Sequence, residues 1–239
     1  MPYIQETWKT GMVLEVRKYY TYMVHPTNVT RSAVEGPTPE RIKKHNRRRA
    51  ERDLRHLMNA NFHDGDYLVR LDFYKMPEIN AEDMQKAIHS YIQQLQKRLK
   101  KINLKFKFKY VYVKEIGPHG SRHIHMVCSK IDLDLLNIWK FGGVHVDPLR
   151  SGGQYRKIAE YFLKYSDRTE KTEGEVVGKR WYASRNLIKP KPVKKIIMSK
   201  KFSKTVPDRK GYYLDEETVV SGISEWTGYE YMAYQYVRC

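Results

Sequence analysis

Apolar residues recur at helical spacing over residues 80–101. Met84, Ile88, Tyr91, Ile92, Leu95 and Leu99 fall on one stripe and predict the clearest helix in the chain. The period then changes. Leu104, Phe106, Phe108, Tyr110 and Tyr112 alternate with Lys105, Lys107 and Lys109, which predicts a strand from Leu104 to Glu115. Upstream, Tyr67 to Phe73 reads as a buried strand after the turn His63-Asp64-Gly65-Asp66. Downstream, a loop from Ile116 to Arg122 leads into a strand from His123 to Ser129, whose Ile124, Met126 and Cys128 form an apolar face directed at the helices. A short helix from Leu133 to Trp139, a Gly142-Gly143 turn, a strand from Val144 to Asp147 and a helix over 154–166 follow.

The flanks are less regular. Residues 1–37 are strand-like and aromatic, with Met12 to Val16 and then Tyr19-Tyr20-Thr21-Tyr22, and they end in Gly36-Pro37. Thr38-Pro39-Glu40 is a helix start, a capping hydroxyl followed by proline at the first helical position. That helix runs to about Ala60. It is rich in Arg and Lys, Arg47 and Arg48 among them, and reads either as a solvated charged face or as a phosphate-contacting one. Past residue 170 the pattern weakens. Lys189-Pro190-Lys191-Pro192 with Lys194-Lys195 reads as an extended basic connector, and Gly211-Tyr212-Tyr213 and Tyr229 to Tyr236 as late strands. Three regions result: 1–60 with N-terminal strands and the basic helix, a 61–170 core, and a basic 171–239 extension. The order of elements predicts an α+β fold, a central antiparallel sheet backed by helices.

Composition narrows the class. The 239 residues allow one substantial core or a core with extensions. Lys and Arg number 45 against 27 Asp and Glu, a formal charge of +18, which predicts an anionic partner, nucleic acid before membrane. The 19 tyrosines suit base stacking beside phosphate-pairing cations, although sheet packing also uses tyrosine. Two cysteines, Cys128 and Cys239, exclude a disulfide framework and a cysteine-rich zinc site and fit a reducing compartment. With no apolar signal core in Met1 to Tyr20 and no apolar run of membrane-spanning length, a cytoplasmic protein is expected, with no membrane partner. There is no GxxxxGK[ST] loop, hence no encoded ATP-driven helicase.

The candidate chemistry starts at His123-Ile124-His125. Residues i and i+2 of a strand share a face, so the imidazoles converge, and Glu115 on the neighbouring strand completes a three-ligand set. Mixed nitrogen and oxygen ligands with open positions suit Mn²⁺ or Mg²⁺, and Zn²⁺ also binds such sets. A cation there is a Lewis acid for a phosphate. His119 in the loop and His145 on another strand compete as ligands, and His145 also reads as an ordinary sheet residue. On the later helix, Ile158, Ala159, Phe162 and Leu163 make the apolar face, while Tyr161 groups with Lys157, Lys164 and Arg168. A phenol with a pKa near ~10 is a poor nucleophile at neutral pH. Cations and a polarised phosphate make its attack feasible. Tyr165 sits at the border of the two faces, as a second nucleophile or a core tyrosine.

Together these residues resemble the HUH endonucleases, named for His-hydrophobic-His, and more narrowly the replication initiators (Rep proteins) of rolling-circle plasmids and phages. Tyr67–Phe73 is similar to the family's first motif, with Arg70 and Asp72 departing from its hydroxyl-rich pattern. Glu115 with His123-Ile124-His125 resembles the metal motif, and Tyr161-Phe162-Leu163-Lys164-Tyr165 the nucleophile motif. The likeness covers about 60–170 and extends to the stretch from Trp181 to Leu187. It implies a ferredoxin-like or RRM-like HUH core with Glu115, His123 and His125 on Mn²⁺ or Mg²⁺. Tyr161 would attack single-stranded, hairpin-presented origin DNA to give a 5′-phosphotyrosine and a free 3′-OH, and Lys164 would position the phosphate. Arg47, Arg48, Lys157, Arg168 and Arg185 would contact DNA, and a bacterial host would supply helicase and polymerase. A relaxase would use Tyr19, Tyr20 or Tyr22 instead, and a small HUH transposase usually carries Gln where Lys164 stands. A histidine-triad hydrolase needs a further histidine at Val127. A non-catalytic RRM-like module would bind nucleic acid through Tyr110, Tyr112 and the lysine stripe.

Overall fold

The structure, a computed structural model, describes residues 2–25, 27, 30–34, 36, 38–117, 120–173, 179–199 and 203–239, less the side chains at 168 and 170–173. In chain order the elements are β1 (Pro2–Thr10), β2 (Val13–Tyr19), α1 (Pro39–Asn59), β3 (Tyr67–Asp72), α2 (Ala81–Ile102), β4 (Tyr110–Ile116) and β5 (Arg122–Cys128). Then come α3 (Leu133–Leu136), β6 (Val144–Pro148), α4 (Arg156–Glu173), β7 (Tyr182–Ala183), β8 (Val193–Met198), β9 (Tyr212–Ile223) and β10 (Glu230–Arg238). Contacts gather them into two units, residues 1–49 with 189–239, and residues 50–188. Each unit holds a five-stranded sheet, antiparallel throughout, and the fold is α+β.

In the first unit the strand order is β8-β1-β2-β10-β9, so both ends of the chain build one sheet. Its core is largely tyrosine: Tyr3, Tyr20, Tyr229, Tyr234 and Tyr236 pack with Leu14, Val16 and Met232. The stretch expected to be a basic connector supplies the edge strand β8. Pro190 and Pro192 stop just short of it, and Lys194 pairs across the ladder with Glu6 of β1, Nζ to carboxylate 3.9 Å. An edge strand tolerates the charge run that hid it, because one side faces water.

In the second unit the order is β6-β3-β5-β4-β7. Met84, Ile88, Leu95 and their neighbours on α2 bury against Val69, Leu71, Ile124 and Met126. Val111, Val113 and Val127 point the other way, to Ala159, Phe162 and Leu163 of α4 and to Leu54 and Met58 in the last turns of α1. Alternate residues of the same strands are thus apolar on both faces, as a covered sheet requires. Asn80 caps α2, its side chain accepting the Asp83 N–H at 2.8 Å.

Two expectations on length change. The strand predicted from Leu104 begins only at Tyr110. Asn103 accepts the Lys105 N–H on its side chain (2.9 Å) and the Phe106 N–H on its carbonyl (3.2 Å), a turn in place of a ladder, and leaves Leu104 86% exposed. The late helix is longer than residues 154–166, because Thr169 anchors its end. Thr169 Oγ1 accepts the Ile116 N–H at 2.9 Å and donates to the Lys114 carbonyl at 3.0 Å, fixing α4 along β4. Among the described residues no helix is long and apolar enough to cross a membrane.

Candidate active site

The α4-facing side of the second sheet changes character along its strands. Leu68, Val127 and Val111 stand side by side on β3, β5 and β4. The next row is His145, Arg70, His125 and Val113, on β6, β3, β5 and β4, and the row after it is Asp72, His123 and Glu115. An apolar floor therefore passes into a polar end within two steps of the pleat.

Two carboxylates organise that end. Asp72 accepts from His123 Nδ1 at 2.8 Å through Oδ1 and from His145 Nε2 at 2.8 Å through Oδ2, and the Arg70 guanidinium lies 3.0 Å from Oδ1. Glu115 stands directly across from His123, yet its Oε2 meets Nε2 of His125, one row along, at 2.8 Å. Burial works to raise the Asp72 pKa. The His123 hydrogen bond, the Arg70 charge and the His145 hydrogen bond outweigh it and hold the carboxyl below its ordinary value. A carboxylate only accepts, so His123 carries a proton on Nδ1 and His125 on Nε2. In the neutral tautomers that leaves lone pairs on His123 Nε2 and His125 Nδ1.

The backbone around Asp72 is clamped. Trp139 Nε1 donates to its carbonyl at 2.8 Å, and its N–H reaches Gly143 O at 3.0 Å. A Cβ at Gly142 would lie 2.1 Å from the same carbonyl oxygen, so only glycine lets the α3–β6 connection approach this closely.

Above this face runs α4. The Tyr165 ring lies flat on His125, centroids 3.9 Å apart at 12°, and Tyr161 stacks one turn away, 6.3 Å from Tyr165. Tyr165 is half-buried. Tyr161 is 54% exposed, with Lys157 and Lys164 also exposed on the helix. The His123 and His125 rings are 6.0 Å apart. Among the described residues no group of three or more His, Cys, Asp or Glu side chains gathers as a metal-ligand cluster. The donor types nonetheless suit a divalent cation: imidazole nitrogen and carboxylate oxygen stand together here, and each imidazole keeps a lone-pair nitrogen on the side of its ring away from its carboxylate partner.

The remaining candidates are spread out. Arg47 and Arg48 are exposed on the part of α1 in the first unit, and Arg185 is exposed after β7 in the second. The Arg168 side chain and His119 lie outside the described residues. Tyr20 is buried in the first unit's core with Tyr3 and Tyr229. Tyr112 is buried beneath α2, where Gln85 Nε2 donates to its hydroxyl at 2.7 Å, and it stacks on Tyr182. It is no open base-stacking surface, and Lys105 and Lys107 precede the strand. Asp72 and His145 are the partners not predicted as a pair. The available signal was polar Arg70 and Asp72 at alternate positions of an otherwise apolar strand.

Every group of this constellation lies between β3 and α4. Residues 66–170 match the model of the replication-associated protein ORF2/G2P family. That family is one of rolling-circle replication initiators, in agreement with the Rep resemblance of the motifs. The ORF2/G2P-like segment holds Asp72, Glu115, His123, His125, His145, Tyr161, Lys164 and Tyr165, and leaves the whole first unit outside it. No curated protein and no solved structure matches the chain.

Proposed function

We propose that this chain nicks and rejoins single-stranded DNA at a replication origin, through a 5′-phosphotyrosine intermediate on Tyr161, to initiate rolling-circle replication of a plasmid or phage in the bacterial cytoplasm. The observation that carries the reading is the polar end of one sheet face, with its histidine–carboxylate pairs, lying under a helix that presents two tyrosines, all within the ORF2/G2P-like segment. The charge of +18 supports a DNA substrate.

Glu115, His123 and His125 would hold Mn²⁺ or Mg²⁺, which when bound supplies Lewis-acid charge to the scissile phosphate. The chain's own groups do the rest. The Tyr161 oxygen bonds to phosphorus, the bond from phosphorus to the 3′ oxygen breaks, the phenol gives up its proton and the 3′ oxygen takes one to leave as a hydroxyl. Rejoining runs the same exchange backwards. Lys157 and Lys164 offset phosphate charge. Tyr165 fixes the plane of the His125 ring, and Asp72 fixes that of His123. Tyr165 as a second nucleophile is the other reading, favoured by its 3.9 Å stack on His125. Host proteins supply the helicase and polymerase.

Incubation with Mn²⁺ and a library of single-stranded oligonucleotides is expected to give an SDS-resistant shift, absent in EDTA and restored by Mn²⁺. Binding with no adduct from any oligonucleotide overturns the enzyme reading in favour of a non-catalytic module. Asp72→Asn keeps the shape but loses the charge that His123 and His145 share. We expect adduct formation to slow about 10–100-fold with circular dichroism unchanged. An unaltered rate removes Asp72 from the positioning role.

A further inference from the structure

The first unit carries twenty Lys and Arg against ten Asp and Glu, and the family match does not reach it. One corner of it is built around the β9–β10 loop. Gly228 there has φ +73°, and a Cβ on it would lie 2.3 Å from the carbonyl oxygen of Ser32; the Ser32 N–H in turn donates to Gly228 O at 2.9 Å. Arg31, beside Ser32, donates through Nε to Thr227 O at 3.0 Å and through Nη2 to the Tyr22 hydroxyl at 3.1 Å. Its guanidinium carbon lies 4.7 Å from the Tyr22 ring centroid. On the same loop Trp226 stacks on His45 of α1, centroids 4.7 Å apart at 10°.

These contacts hold two aromatic side chains in fixed orientations while leaving them open to water, Tyr22 at 54% and Trp226 at 39%. Exposed cations lie on the elements that build the corner: Arg31 on the Tyr22 ring, Lys44 beside Glu225 of the loop, and Arg48 one turn beyond Lys44 on α1. Lys44 is 3.8 Å from Glu225, an exposed and weakly held pair whose ammonium can exchange its partner for a phosphate. Held rings beside a cation excess fit a ligand with flat apolar faces and regularly spaced negative charge.

We propose that this corner is a second nucleic-acid subsite, separate from the candidate active site, in which unpaired bases stack on Trp226 and Tyr22 and the backbone phosphates meet Arg31, Lys44 and Arg48. Duplex DNA hides its base faces, so the ligand is single-stranded. An acidic protein segment would satisfy the cations and leave the rings unused.

The full-length protein in EDTA, where no covalent step proceeds, provides the test. Trp226 is the most exposed of the four tryptophans, and the part of the quench that Trp226→Ala removes reports the site. A short thymidine oligonucleotide is expected to quench it, and an abasic strand of equal length is not. With binding read by the anisotropy of a labelled oligonucleotide, Trp226→Ala should weaken it about tenfold, and Arg31→Ala should lower the salt slope by about 0.7. Equal binding of abasic and thymidine strands to the wild-type protein overturns base stacking, whether or not the variants fold. Equal quenching by polyglutamate assigns the corner to an acidic protein. Adduct formation separates this proposal from the previous one. Trp226→Ala should still form the Tyr161 adduct at saturating DNA, and His125→Ala should lose the adduct yet keep the quench.

Discussion

Tyr161→Phe is expected to lower formation of the covalent DNA adduct by about three orders of magnitude or more, while Tyr165→Phe stays within about tenfold of wild type. The difference follows from what each ring does. Tyr161 is exposed on the lysine-bearing side of α4, so removal of its hydroxyl removes the attacking oxygen and disturbs little packing. Tyr165 lies flat on His125, and a phenylalanine keeps that stack. Denaturing gels of protein incubated with Mn²⁺ and a cleavable oligonucleotide read both variants. Adduct that survives Tyr161→Phe and vanishes in Tyr165→Phe moves the nucleophile one turn along the helix. Adduct that survives both and is lost on substitution of Tyr19 or Tyr20 makes the chemistry relaxase-like.

Phe162→Ala should cost about 3–5 kcal/mol in the unit of residues 50–188. Phe162 is 1% exposed and packs with Val111, Val113 and Val127, the apolar floor that continues into the polar rows. Removal of the ring leaves a cavity between α4 and the sheet, which the Thr169 anchor keeps from closing freely. The urea midpoint read by circular dichroism should fall accordingly. Adduct formation should fall with it, because Tyr161 precedes Phe162 on the same helix turn. A loss below about 1 kcal/mol would mean that α4 is held by something other than this face.

Periodicity made much of the second unit legible. The α2 stripe, the apolar face of Ile124, Met126 and Cys128, and the shared side of His123 and His125 all follow from spacing along one element. What lay hidden depends on which strands become neighbours. β3 lies between β5 and β6, an order the sequence does not contain, and only that order brings Asp72 to both His123 and His145. Residues 104–109 alternate like a strand, yet Asn103 turns the chain before a partner is reached. In β8 the reverse holds: the lysines disguised a strand whose partner, β1, lies almost the whole chain away.

That last separation bears on how the protein is made. β2, the middle strand of the first sheet, waits for β10 as its neighbour, and residues 13–19 leave the ribosome long before residues 230–238. The segment 50–188 emerges whole in between and can gather its own core during synthesis, as units of this size do. The nascent chain therefore carries the β1–β2 hairpin unfinished, with an open edge and tyrosines unburied, until translation reaches β10.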